Sequence, residues 1–465
     1  MNFYFDAAKA LDRLDSKQGS IKGILASMPQ ANRARSAALV IETLKYKSVL
    51  TEVIHTSKLL AEEKKKITSL NLALVLVHDL LLTSGIQAGD GPVKQAILRH
   101  KTRLRSEFQR IKVKRAVTSN LQLINAGDER AERIPRYVRV NTSLCSTEDA
   151  VEYFTSQGFR VADPLSDSKA FSKDGHIPDL LAFNPAFRFH DDSWYKSGKL
   201  IIQDKASCFP AYVLNPPLGD DRVAIDATSA PGNKTSHLSA LMQNRGKIFA
   251  FERDKTRFTT LSKMLSIAKC ENVEPIRADF LTVDPMDSQY AQVTHILVDP
   301  SCSGSGIVNR LDHLLESENK EETDQNELDR LQKLSSFQLL MIKHAMKFPA
   351  AQKIVYSTCS IHAEENERVV QHALSSEEAK VAGFTLAPST SVLPSWNRRG
   401  LPEEMGNPSQ AASLIRCVPG EDQTNGFFVS CFVRGGKVSS SSMKRPATDL
   451  HSHSGSKKRR KAAKK

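Results

Sequence analysis

Ala224-Ile225-Asp226-Ala227-Thr228-Ser229-Ala230-Pro231-Gly232-Asn233-Lys234-Thr235 is a short apolar run that ends in an acid and turns through small residues toward a helix. Small residues let a backbone approach a ligand closely, and the start of a helix offers unpaired N–H groups. Twenty residues past Gly232, Glu252 ends a second apolar run, Ile248-Phe249-Ala250-Phe251. An acid at that place in a doubly wound sheet accepts hydrogen bonds from ribose hydroxyls. Asp279 follows a third run and is placed to accept from an adenine amino group. The stretch superficially suggests a phosphate-binding loop. That loop needs Gly directly before Lys and another Gly five residues earlier, where this chain has Asn233 and Thr228.

Outward from this stretch the pattern repeats. Apolar runs at 223–226, 247–251, 273–276, 295–298, 353–356 and 427–432 alternate with helical segments, which predicts an open, doubly wound α/β sheet of the Rossmann-like kind over 200–435. An acidic insert at 311–333 interrupts it and reads as a mobile loop plus a helix. Upstream, 126–199 has the size and pattern of a small α+β module expected to bind RNA. Residues 1–125 read as a basic helical domain, because apolar positions recur every three or four residues through 37–50 and 59–82. The tail, 436–465, is Ser-rich and basic and is expected to be disordered.

The chain has 465 residues and a formal net charge of +13. The excess sits at the ends: residues 1–125 hold 21 basic and 10 acidic side chains, and 436–465 hold 10 and 1. Such ends attract polyanions. Nine basic residues crowd 94–115, read either as a solvated helix face or as a footprint on nucleic acid. Seven cysteines without any Cys-x-x-Cys argue against a disulfide framework or zinc ribbon and for a reducing compartment. No secretory signal is legible at the N-terminus, and the longest apolar run, Leu70–Leu82, is too short and too interrupted to span a membrane.

Two cysteines stand out. Ile296-Leu297-Val298-Asp299-Pro300-Ser301-Cys302-Ser303-Gly304-Ser305-Gly306 and Ile354-Val355-Tyr356-Ser357-Thr358-Cys359-Ser360 each run from a strand into a polar loop. Ligands of open α/β sheets bind at such strand ends. Cys145, Cys208, Cys270, Cys417 and Cys431 read instead as small buried apolar residues.

These motifs, with Glu364-Glu365-Asn366-Glu367, Arg139-Val140-Asn141-Thr142 upstream and Gln203-Asp204-Lys205-Ala206-Ser207 before the core, resemble the Sun-domain RNA (cytosine-5) methyltransferases over roughly 130–435. Ser20-Ile21-Lys22-Gly23-Ile24 and the segment 203–210 are most similar to the fifth animal paralogue group, which acts on large-subunit ribosomal RNA. The resemblance implies S-adenosyl-L-methionine as cofactor, held along Thr228, Ser229, Ala230, Pro231, Gly232, Asn233 and Lys234, with Glu252 on the ribose, Arg257 as a further contact, Asp279 beside adenine and Asp299 nearby. It implies Cys359 as the nucleophile that adds to carbon 6 of cytosine. Cys302 would assist breakdown of that adduct, and Asp299 would hold the base at its ring nitrogen and exocyclic amine. Covalent addition is needed because carbon 5 of cytosine is too weak a nucleophile by itself. A helix expected over 364–374 could lower the Cys359 pKa through its dipole. Glu364, Glu365 and Glu367 read as dipole partners and structural contacts. The same core would serve tRNA or mRNA, and a catalytically silent ribosome assembly factor could retain the fold. A DNA cytosine methyltransferase would place its nucleophile after Pro in the fourth-strand loop, without need of Thr358-Cys359. Asn215-Pro216-Pro217-Leu218 precedes the cofactor loop and reads as a turn. Arg434-Gly435-Gly436 is a single copy, too little for an RNA-binding repeat. Lys444-Arg445, a spacer and Lys457-Lys458-Arg459-Arg460-Lys461 have the layout of a bipartite import signal, predicting an import receptor as partner and residence in the nucleus and nucleolus.

Overall fold

The computed structural model of the chain describes residues 1–16, 18–19, 21–124, 128–308, 314 and 321–435, and of 321–326 the backbone alone. The tail motif and the first part of the acidic insert lie outside the described residues.

The N-terminal part is helical. Helix α1 (Asn2–Asp15) packs on α2 (Leu70–Leu82), whose residues 71–80 are all buried. The polar members of α2 survive burial because each finds a partner: Asn71 donates to Asp12 at 2.7 Å and Asp15 at 2.9 Å, and Tyr4 Oη donates to Asp79 at 2.5 Å. Ser69 caps α2 by accepting from Leu72 N at 3.1 Å. The basic segment 94–115 is two helices rather than one, Pro92–Arg99 and α3 (Lys101–Lys114), with Pro92 opening the first. Leu314, inside the acidic insert, is buried in the core of this helical part. The rest of the described insert, from Glu321, is helical as expected and begins a single long helix, and the expected loop lies outside the described residues.

A five-stranded sheet follows, in order β2 (Arg160–Val161), β3 (Ala170–Lys173), β4 (Leu180–Phe183), β1 (Arg136–Val140), β5 (Leu200–Ile202). Helix α4 (Thr147–Ser156) starts with a capping box between Ser146 and Asp149 and covers the sheet with Phe154, which meets Phe159, Phe171, Phe183 and Phe189. The strand pattern alone assigns Leu200–Ile202 to the larger repeat. It instead pairs antiparallel with β1, so the smaller sheet extends to Ile202.

The large sheet has eight strands. Its path is β11 (Phe384–Leu386), β13 (Phe427–Arg434), β10 (Lys353–Thr358), β9 (Val293–Val298), β6 (Val223–Asp226), β7 (Lys247–Phe251), β8 (Val273–Ile276), with β12 (Ile415–Cys417) on β13. The five from β10 to β8 are parallel, and β11, β12 and β13 add antiparallel pairs. Ile354, Val355, Ile296, Leu297 and Ala250 are all fully buried, as central parallel strands require. The sequence-predicted doubly wound Rossmann-like sheet, preceded by helices and an α+β module, is thus the fold. Chain order reverses between β6 and β9, and this switch point opens a crevice at the carboxyl ends of the strands. Helices α5 (Lys205–Leu214), α6 (Asn233–Leu241), α7 (Lys255–Ile267), α8 (Glu321–Met346) and α9 (Glu367–Ser375) belong to this domain.

Candidate active site

β6 ends at Asp226, and the chain turns into α6 through Gly232. Gly232 has φ +112°, and a Cβ there would lie 3.3 Å from Leu261 Cδ1 and 3.4 Å from Met264 Cβ on α7. Only glycine serves both the left-handed backbone and the tight approach of α7. Asp226 is buried. Its Oδ2 accepts from Thr235 Oγ1 at 2.8 Å, and its Oδ1 from Thr228 N at 3.3 Å. Burial pushes its carboxyl up to about 6, against the lowering effect of those two donors.

At the end of β7, Glu252 is buried and accepts from Asp254 N at 2.8 Å. Arg257 pairs with it at 3.4 Å and donates to Ala230 O at 2.8 Å, strapping the 228–234 loop to the second strand end. Past β8, Asp279 accepts from Leu281 N at 3.0 Å and pairs with Arg253 at 3.3 Å. Acceptors thus stand at successive strand ends, beside a loop of small residues that opens a helix. That donor and acceptor set fits an adenosyl amino acid: carboxylates for ribose and amine, and helix N–H groups for a carboxylate.

The second half of the crevice lies past β9 and β10. Lys234 Nζ donates to Asp299 Oδ2 at 2.7 Å, and Ser357 Oγ donates to Asp299 Oδ1 at 2.5 Å. Asp299 N donates to Thr228 Oγ1 at 3.1 Å, which ties the 228–234 loop to the β9 end. Burial works against the Lys234 charge, but Asp299, Cys359 and Asp226 outweigh it and hold the ammonium above its ordinary pKa. Cys302 Sγ and Cys359 Sγ are 3.1 Å apart, from residues 57 apart in sequence. The hydrogen bond to Cys359, then burial, push the Cys302 thiol far up. The two sulfurs share one close contact, and Cys359 lies within the electrostatic reach of the Lys234 ammonium.

The predicted helix over 364–374 starts three residues later, at Glu367, because Asn366 is engaged with Thr358 at 2.6 Å and Ser360 at 3.0 Å. Of the acids there, Glu367 pairs with Arg416 and caps Leu401 N, whereas Glu365 bonds Ser303 next to Cys302. Ser357 was invisible as a site residue, although its two-residue spacing from Cys359 on one strand edge puts both on the same face. The remaining five cysteines are buried or half-buried away from this crevice's bonding network. Burial raises the thiol pKa of all five.

Three family models match the chain in order. Residues 36–124 match the N-terminal domain of NOL1/NOP2/Sun domain family member 5, residues 134–203 its ferredoxin-like domain, and residues 211–433 the 16S rRNA methyltransferase RsmB/F model. The 25S rRNA (cytosine-C(5))-methyltransferase rcm1 of Schizosaccharomyces pombe is 44% identical over 92% of this chain and 91% of its own length. The 28S rRNA (cytosine-C(5))-methyltransferase of Mus musculus is 42% identical over 100% of this chain and 98% of its own. The chain belongs to the NSUN5 family of rRNA (cytosine-C5)-methyltransferases. A methyltransferase homologue from Pyrococcus horikoshii shares the fold, with TM-score 0.51 at 24% identity, covering 70% of this chain and 98% of its own. The NSUN5 family assignment makes the chain a methyltransferase.

Many of the basic side chains within 94–115 are ion-paired. Arg99 pairs with Glu63, Arg103 with Glu62, Arg110 with Glu107, and Lys114 and Arg115 with Glu52. Lys101 and Arg105 are exposed on α3. Among the described residues no helix is long and apolar enough to cross a membrane, and no cluster of His, Cys, Asp and Glu could hold a metal ion.

Proposed function

We propose that this chain methylates carbon 5 of a cytosine in large-subunit ribosomal RNA, using S-adenosyl-L-methionine and a transient Cys359–carbon 6 adduct. The observation that carries the reading is the Cys302–Cys359 contact at 3.1 Å in the crevice that also holds the Lys234–Asp299 pair. Curated relatives matched over more than nine-tenths of both chains are named for cytosine-C5 methylation of 25S and 28S rRNA.

S-adenosylmethionine, when bound, supplies an electrophilic methyl group. Thr228, Ser229, Ala230, Pro231, Gly232, Asn233 and Lys234 would line its methionine end, Glu252 and Arg257 its ribose, and Asp279 its adenine, with Asp299 closing the pocket toward the base. The chain's own residues do the rest. Cys359, as thiolate, forms a bond to carbon 6, and the electron pair moves to carbon 5. Asp299 accepts from the exocyclic amine and is held for that task by Lys234 and Ser357. After methylation the carbon 5 proton passes to solvent, the electrons of that C–H bond re-form the carbon 5–carbon 6 double bond, and Cys359 leaves carbon 6 as thiolate. Cys302 stands beside the bond that breaks and assists this release.

The chain is read as dividing near residues 125, 200 and 435. The helical part and the five-stranded module would hold RNA, and the tail would carry the import signal. Nucleolar residence follows from a ribosomal substrate. Bisulfite sequencing of total RNA with and without the gene tests the substrate. One large-subunit cytosine should lose its methyl mark. A change confined to tRNA or mRNA would overturn the rRNA reading.

A further inference from the structure

The loop that carries Cys302 is anchored by a carboxylate to which the family resemblance assigns no chemistry. Glu365 is fully buried. Its Oε1 accepts from Ser303 N at 2.9 Å and from Gln338 Nε2 at 2.9 Å, and its Oε2 accepts from Ser303 Oγ at 2.5 Å. The Gln338 amide is fixed in turn, because its Oε1 accepts from Tyr356 Oη at 3.1 Å and its Nε2 also donates to Ser301 O at 3.1 Å. Tyr356 Oη donates to Glu365 O at 2.5 Å as well. The residues on both sides of Cys302 are therefore tied to one buried group, Ser301 through Gln338 and Ser303 directly. The same hydroxyl of Ser303 lies 3.2 Å from Ser360 Oγ, next to Cys359. A buried carboxylate costs several kcal/mol unless its lone pairs are filled, and here three donors fill them.

We infer that Glu365 is the positioning residue that sets Cys302 against Cys359, and so controls release of the methylated RNA rather than its capture. This inference rests on the release role proposed for Cys302. Without Glu365 the Ser303 N–H and hydroxyl lose their acceptor, and the loop is free to carry the Cys302 sulfur away from Cys359. Attack on carbon 6 does not need Cys302, so the adduct still forms. Its breakdown slows. A misplacement near 1 Å can cost on the order of a hundredfold in a chemical step.

The test uses the full-length protein, in vitro transcribed large-subunit rRNA and tritiated S-adenosylmethionine. The readouts are turnover, KM for the donor, and the fraction of enzyme bound to RNA after denaturant. Cys302→Ala is the reference. Glu365→Ala should raise the denaturant-stable fraction several-fold over wild type and lower turnover roughly tenfold, with the donor KM unchanged. Ser303→Ala, which keeps only the backbone bond, should move the same way by less. Glu365→Gln keeps an oxygen for Ser303 N and should return toward wild type. Should Glu365→Ala fail to fold, the other two variants decide. Wild-type adduct levels in Glu365→Ala, or in Ser303→Ala where Glu365→Ala does not fold, would overturn the inference whatever the turnover, while leaving the proposed reaction intact. Absence of adduct in Cys302→Ala would instead overturn the release role itself, and this inference with it.

Discussion

Asp226 is ionised at neutral pH at a cost that the fold carries for the sake of the crevice. Burial raises its carboxyl from 3.8 to about 6, so the folded chain holds that proton more tightly than the unfolded chain. The cost is absent below both values, grows as pH rises from about 4 to 6, and reaches about 3 kcal/mol above that. Asp226→Asn should therefore gain stability relative to wild type as pH rises through this window, read by urea unfolding at pH 4.5 and pH 7. A difference that does not change with pH would contradict the assignment. At this scale much was legible beforehand: Asp226, Glu252 and Asp279 are acids at strand ends, and the period of the pattern places them. Ser357 was not, because a serine on a buried strand becomes informative only when Asp299 is found 2.5 Å away. Lys234 is legible as a candidate cofactor contact, whereas its bond to Asp299, across 65 residues of sequence, is not.

Among the elements, the Cys302 loop is the most tightly built. Gly306 N donates to Cys359 O at 2.9 Å, and Gly426 N donates to Gly306 O at 2.7 Å. A Cβ on Gly306 would fall 2.2 Å from Gly426 O, so the backbones must part. Gly306→Ala should cost at least about 2 kcal/mol and lower turnover sharply, measured by chemical denaturation and methyl incorporation. Wild-type values for both would show that the loop can yield. The glycine itself was visible in Ser303-Gly304-Ser305-Gly306, but its partner, 120 residues later, was not. The basic segment is less legible: Arg99, Arg103, Lys114 and Arg115 face Glu63, Glu62 and Glu52 from elsewhere in the helical part, pairings that a linear pattern cannot reveal. Neutralising Lys101, Arg105, Arg110 and Lys112 together tests what remains. RNA affinity should fall, and the slope of log affinity against log salt should drop by at most ~0.7–0.9 per lost contact. An unchanged slope would make α3 a solvated face.

Over the whole molecule, the smaller sheet and the methyltransferase domain meet through a buried cation. Arg139 on β1 is fully buried, donates to Gln203 at 2.8 Å and Ser236 Oγ at 2.9 Å, and reaches Asn233 O at 3.3 Å in the first turn of α6. Asn141 on the same strand end donates to Ala268 O at 2.8 Å past α7. The Arg-x-Asn spacing that looked like a family mark is thus a two-pronged joint between the sheets, set by the two-residue period of a strand. Arg139→Ala should cost about 3 kcal/mol and loosen the 228–234 loop through Asn233, so, if that loop holds the donor as proposed, donor affinity should weaken together with stability. The joint places the five-stranded module beside the crevice where Cys359, Cys302 and Asp299 converge, and the proposed reaction depends on Cys359 above all. The most direct measurement is methyl transfer by purified wild type and Cys359→Ala to in vitro transcribed large-subunit rRNA, with donor binding measured alongside by calorimetry. Wild type should place a methyl on carbon 5 of one cytosine, and the variant should place none while binding S-adenosylmethionine as tightly. Normal turnover in Cys359→Ala would contradict the account.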